Sequence, residues 1–164
     1  MKDIDRSLEN SKFVEAFDAN SVGTRIWFAK NHIGSMFFVD SGGILEKTTK
    51  TTKQIVQIGE IVLSVRDVYW EIVDITDEIT IVDSESICDE NRIELYNCLL
   101  GNSYTRVSES PAYLEVVISD MYILRLDRSN RYDSTDDIIE LTINGSNHFH
   151  YYSSINYGDS CNNP

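Results

Sequence analysis

Few side chains in this chain have both the type and the spacing that chemistry requires. His148 and His150 stand two apart in HFHYY, so on a strand both project from one face and could hold a transition metal if another ligand converged. Asp133, Asp136 and Asp137 in the preceding DSTDD run are the candidates for that ligand, and their oxygens also suit calcium. The run lacks the glycine and distal glutamate of an EF-hand loop, and a hydrated turn followed by an edge strand with outward histidines explains the same residues. No metal or cofactor is assigned. Glu71 and Glu140 each sit between apolar residues and are the symmetric candidates for a two-carboxylate glycosidase-type pair. The same placement fits the outward half of a strand alternation. The chain contains no GxSxG elbow, P-loop, GxGxxG, HExxH or EF-hand motif. The expectation is therefore a protein without catalytic residues, not an enzyme.

Composition narrows the field further. With 164 residues, one core is expected, and 41% hydrophobic with 25% charged residues is an ordinary globular balance. Cys88, Cys98 and Cys161 are odd in number and form no CxxC pair, which points to reduced thiols. No window approaches the roughly 18 apolar residues of a membrane span, and the charged start MKDIDRSLENSKF has no apolar leader core, so a cytoplasmic location is expected. Acidic residues outnumber basic ones 27 to 14, for a formal charge of −13. A phosphate backbone would be repelled, so no nucleic-acid partner is expected. Such acidity serves solubility, or complements a basic partner such as the nucleic-acid-binding face of a nuclease. Glu85, Asp89, Glu90, Asp133, Asp136 and Asp137 are the carboxylates expected to meet such a partner.

The elements that must position these residues are mostly strands. Residues 8 to 18 place Leu8, Phe13, Val14 and Phe17 near helical spacing. RIWFA and SMFFVD read as a hairpin, with Asn31 and Gly34 in its turn and His32 exposed beside it. SGGILEKTTKTTK, polar and without apolar periodicity, reads as a loop. QIVQIG, EIVLSVRD and YWEIVDI follow as separate strands, with a boundary at Gly59. A helix is expected at 89–99, with Asp89 as cap, Gly101 at C′, and Ile93, Tyr96 and Leu100 along one stripe with Leu99 beside it. SYTRVSE, AYLEVVIS, YILRL, IIELTI and HFHYY complete a mainly β, α+β chain: an antiparallel sheet packed or curled on itself, with one short N-terminal helix and one helix near 89–99.

A faint internal repeat runs through this pattern, over 20–83 and 99–152. In SVGTRIWFAKNHIGSMFFVDSG and LLGNSYTRVSESPAYLEVVISD, Gly23 and Gly101 hold matching places, and Trp70-Glu71-Ile72 matches the IIELTI strand. The spacing differs by roughly ten residues, as an insertion at the lysine-threonine loop would produce. VGTRIWFAKNHIGSMFFVDSGG, the Trp-Glu-Ile strand, LLGNSYTRV and LEVVISDMYILRL leading to YDSTDDIIELTI together resemble a group of small bacterial β-rich domains of unknown function. Asp136 and Asp137 stand near the aromatic position of those domains, and Ile139 replaces their usual tryptophan. The resemblance spans residues 20 to 145; some similar domains look like immunity proteins of toxin systems, and it implies no catalytic residue. The expected function is a non-enzymatic acidic interaction protein of the immunity type, which binds and occludes a basic toxin. The alternative is a β-barrel or β-sandwich that holds a small ligand in an aromatic-lined pocket, for which YW at 69–70 and FHYY at 149–152 are candidates. An unpaired sheet edge would also allow a homodimer.

Overall fold

The computed structural model describes residues 6–32, 35–129, 132, 138–145 and 148–153, with side-chain environments for 12–32, 35–129, 132 and 139–144. Helix α1 (Arg6–Asn20) precedes strands β1 (Ile26–Asn31), β2 (Phe37–Thr48), β3 (Ile55–Arg66), β4 (Trp70–Asp74) and β5 (Thr80–Asp83). Helix α2 (Arg92–Leu99) then leads to β6 (Tyr104–Glu109), β7 (Tyr113–Ile118), β8 (Tyr122–Asp127), β9 (Ile138–Gly145) and β10 (His148–Ser153). Every pairing is antiparallel, in two five-stranded sheets of order β1-β2-β3-β9-β10 and β5-β4-β8-β7-β6. The chain is mainly β, as its alternating patterns lead one to expect.

Alternation decides which face of each sheet is buried. In β3, Ile61, Leu63 and Val65 are buried while Val62, Ser64 and Arg66 remain partly exposed. The inner faces of both sheets and both helices contribute to one apolar cluster, in which each fully buried aliphatic side chain stabilises by about 2 kcal/mol. Trp70 and Phe37 join the sheets edge to face at 5.0 Å, and the indole Nε1 donates to Ser35 O at 2.8 Å. The ring pair adds about 1 kcal/mol beyond its area. Helix α1 packs on β10 and β6, and α2 on β5 and β1. Those four are the edge strands, so each helix covers one side where the sheets end.

Both sheets are assembled from both halves of the chain. The meander β1–β3 pairs with the hairpin β9–β10, and the meander β6–β8 pairs with β4–β5. The halves meet in a short ladder: Gly23 N donates to Tyr104 O at 2.7 Å and Gly101 N to Ile26 O at 2.9 Å. Ile26 N reaches Asn102 O at 2.8 Å and Tyr104 N reaches Thr24 O at 3.2 Å, with Arg25 opposite Ser103. Gly23 and Gly101 both have positive φ, 86° and 80°, which explains glycine at these two positions.

Three local expectations need correction. SGGILEKTTKTTK is a loop only in its last part: β2 continues through Gly42 and Gly43 to Thr48, and the six residues 49–54 connect it to β3. Backbone pairing from Ile44↔Gly59 to Thr48↔Ile55 holds this ribbon together without apolar alternation. Gly59 is not a boundary either, since QIVQIG and EIVLSVRD form one strand. Helix α2 starts at Arg92 with Asn91 as N-cap, while Asp89 forms an ion pair with Arg92. Its buried stripe is Leu95, Cys98 and Leu99, whereas Ile93 and Leu100 are exposed. Both stripes satisfy the helical period. Tyr96, from the expected stripe, is half-buried, and its hydroxyl accepts from Asn31 N at 3.0 Å.

Candidate functional site

The densest charge gathers where β5 and α2 meet. Residues 74 to 94 hold eight acidic side chains against Arg92 alone. Two of the eight organise turns: Asp74 Oδ1 accepts from Thr76 N at 2.8 Å and Asp77 N at 3.2 Å, and Asp83 Oδ1 accepts from Glu85 N at 2.8 Å and Ser86 N at 2.9 Å. These turns flank the four-residue strand β5 and leave Asp77, Glu78, Glu85, Asp89, Glu90 and Glu94 exposed. The two parts of the cluster act on a common neighbour. Burial first, then the charges of Glu94 and Asp74, push the Cys98 thiol up to about 11. Between the acids, Ile79 and Ile93 expose 61% and 58% of their surface. This is an acidic face with apolar anchors.

Glu85, Asp89 and Glu90, singled out from sequence, all lie on this face in the loop before α2. Asp77 and Glu78 were missed, because only the β4–β5 pairing brings their turn beside the helix, and Glu94, on α2 itself, was missed with them. Asp133, Asp136 and Asp137 lie outside the described residues. Tyr132 donates from its hydroxyl to Glu85 Oε1 at 3.0 Å.

The catalytic and metal candidates are placed differently. Glu71 lies on β4 and Glu140 on β9, in different sheets, each between residues directed into the core. They face outward from opposite sheets and cannot flank one bond. Glu71 is held by Arg125 Nη1 at 2.8 Å, with Glu115 on the same guanidinium at 3.6 Å and the Tyr113 ring beneath it. The Glu140 carboxyl is raised by burial, an effect that Arg66 opposes. His148 and His150 occupy alternate positions of β10, opposite Gly145 and Ile143, and their side chains lie outside the described set. Among the described residues, no three His, Cys, Asp or Glu side chains group as metal ligands. Cys88 is exposed and Cys98 buried, both as free thiols, while Cys161 lies outside the described residues. Trp70 is a core residue, not part of a ligand-facing surface.

A second surface of opposite character lies on the outer face of the first sheet. A groove of about 400 Å³ there is lined by Phe28, Phe38 and Ile58, with Lys30, His32 and Lys47 around it. His32 is exposed and meets Phe38 edge to face at 5.5 Å. At its floor the Asp40 carboxyl is buried, accepts Gly59 N at 2.7 Å, and is raised by desolvation more than this bond lowers it. Among the described residues, no helix is long and apolar enough to cross a membrane.

No family model, no curated protein and no solved structure matches this chain.

Proposed function

We propose that this protein is a non-enzymatic interaction protein whose acidic face binds and covers a basic protein partner, in the manner of a cytoplasmic immunity protein against a basic toxin. The observation that carries the reading is the pairing of six exposed carboxylates with exposed Ile79 and Ile93 around β5 and α2. Carboxylates alone would serve solubility. Isoleucines among them supply the apolar contact that a protein interface needs at its centre, with charge at the rim. Glu85, Asp89, Glu90 and Glu94 would pair with Lys and Arg of the partner through charge-assisted hydrogen bonds, and the body of the sandwich would block access to the covered surface.

The test is affinity capture from a lysate of the source organism, with the wild-type chain and the variant Glu85→Lys/Glu90→Lys/Glu94→Lys as baits. A basic protein retained by the first and absent from the second is expected. Equal retention on both baits, or no basic protein on either, contradicts the reading.

A further inference from the structure

We infer that the outer part of the β2–β3 hairpin is a self-association arm, which docks with the groove at its base on the acidic end of a second copy of this chain. The fold itself does not need the arm. In the second sheet, β7 and β8 are joined by the three residues 119–121, from Ile118 to Tyr122. In the first, β2 and β3 leave the sheet at Ser41 and rejoin it at Ile61, with the nineteen residues 42–60 between them. Both hairpins depart alike: Gly42 and Ser119 have positive φ, and their N–H groups donate to Arg25 O at 3.1 Å and Ser103 O at 2.8 Å. Only one of them extends.

The extension exposes apolar surface on both sides. Pairing with β1 stops at Ser41 and pairing with β9 stops at Ile61, so among the described residues the ribbon 44–58 has no third strand. Its register puts Ile44 and Ile55 on one face, 54% and 69% exposed, and Leu45 and Val56 on the other. Such a ribbon is an association hazard unless a partner covers it.

Charge identifies the partner. Lys47, Lys50 and Lys53 against Glu46 give residues 44–58 a formal +2, which leaves −15 on the rest of a chain whose total is −13. The acidic end around β5 and α2 offers carboxylates and two exposed isoleucines, the complement of lysines and exposed aliphatic residues. Arm-to-arm pairing is opposed by the lysines themselves. At physiological ionic strength a Debye length of about 8 Å screens the two acidic bodies from each other, while ion pairs at contact distance persist. A two-fold arrangement sets each arm on its partner's acidic end and closes the assembly. This contact and the proposed basic partner use the same end and exclude each other; the mass of the free chain and the capture of a basic protein are separate readouts that fail independently.

Sedimentation velocity at about 0.15 M salt tests the inference. The wild-type chain at about 100 μM, a concentration that populates any dimer with Kd near or below 10 μM, is expected at twice the 18.8 kDa chain mass. Lys47→Glu/Lys50→Glu and Glu85→Lys/Glu90→Lys/Glu94→Lys each change only exposed positions, which rarely affects folding, and each is expected at the mass of one chain. An equimolar mixture of the two variants is expected to recover the doubled mass, since the reversed arm then meets a reversed acidic end. A monomeric wild type, or a charge-reversed arm variant that stays dimeric, overturns the inference.

Discussion

Asp40 shows how one residue links the sheet to solution conditions. Its carboxyl is raised above the ordinary range by burial, with the Gly59 N–H as the opposing influence. A raised carboxyl favours the folded state fully below its unfolded pKa and loses that contribution as pH climbs through the folded value. Asp40→Asn keeps an oxygen acceptor for Gly59 N and cannot ionise. Urea unfolding from about pH 4 to pH 8 should therefore show the variant gaining on the wild type as pH rises; parallel curves would contradict the assignment. Tyr104 gives a second prediction. It is fully buried, its ring meets Phe17 at 5.0 Å, and its hydroxyl has no hydrogen-bond partner among the described residues. Tyr104→Phe should raise stability by about 1 kcal/mol, because an unsatisfied buried polar group is removed without a cavity. A loss of stability in the same unfolding experiment would reveal an interaction of that hydroxyl. Neither effect was legible in the sequence, where Asp40 and Tyr104 are ordinary strand residues and burial depends on strands far away in the chain.

At the scale of elements, periodicity identified most strands but could not choose among equivalent faces. Leu95, Cys98 and Leu99 satisfy the helical spacing as well as Ile93, Tyr96 and Leu100 do, and docking in the gap between β1 and β5 goes with the first set. Leu95→Ala should cost about 3 kcal/mol, whereas Ile93→Ala should stay within about 0.5 kcal/mol; chemical denaturation separates the two, and equal costs would refute the assigned face. The arm was hidden for a different reason. With both faces in solvent, a ribbon needs no apolar alternation, and its Gly, Thr and Lys content looks like a loop. Its base is sterically strict. A Cβ at Gly59 would lie 2.8 Å from Asp40 Cβ and from Ile61 O, so Gly59→Ala should cost about 2 kcal/mol by overpacking against backbone. A thermal midpoint unchanged by that substitution would contradict the tight register at the arm's root. The strand β5 escaped notice because four residues are too few to show alternation.

Across the whole molecule, charge is distributed as the chain total of −13 could not reveal. The total was legible, and so were Glu85, Asp89 and Glu90 as exposed acids. The face they belong to was not, because it joins two turns on either side of a strand that only tertiary pairing places. Exchange of hairpins between the halves was equally hidden, although matched glycines at 23 and 101 marked the positions where the halves meet. The resulting molecule has a carboxylate-rich end with exposed isoleucines and a basic arm that extends two strands of the other sheet. The central claim is that the acidic end recognises a basic protein through contact charge. It is tested most directly by capturing that protein on the immobilised wild-type chain at about 0.15 M salt and raising the salt in steps to about 1 M, where the Debye length falls to about 3 Å. The account predicts that a basic protein is retained at the first step and released progressively before the last; retention that does not change with salt, or no basic protein at any step, would contradict it.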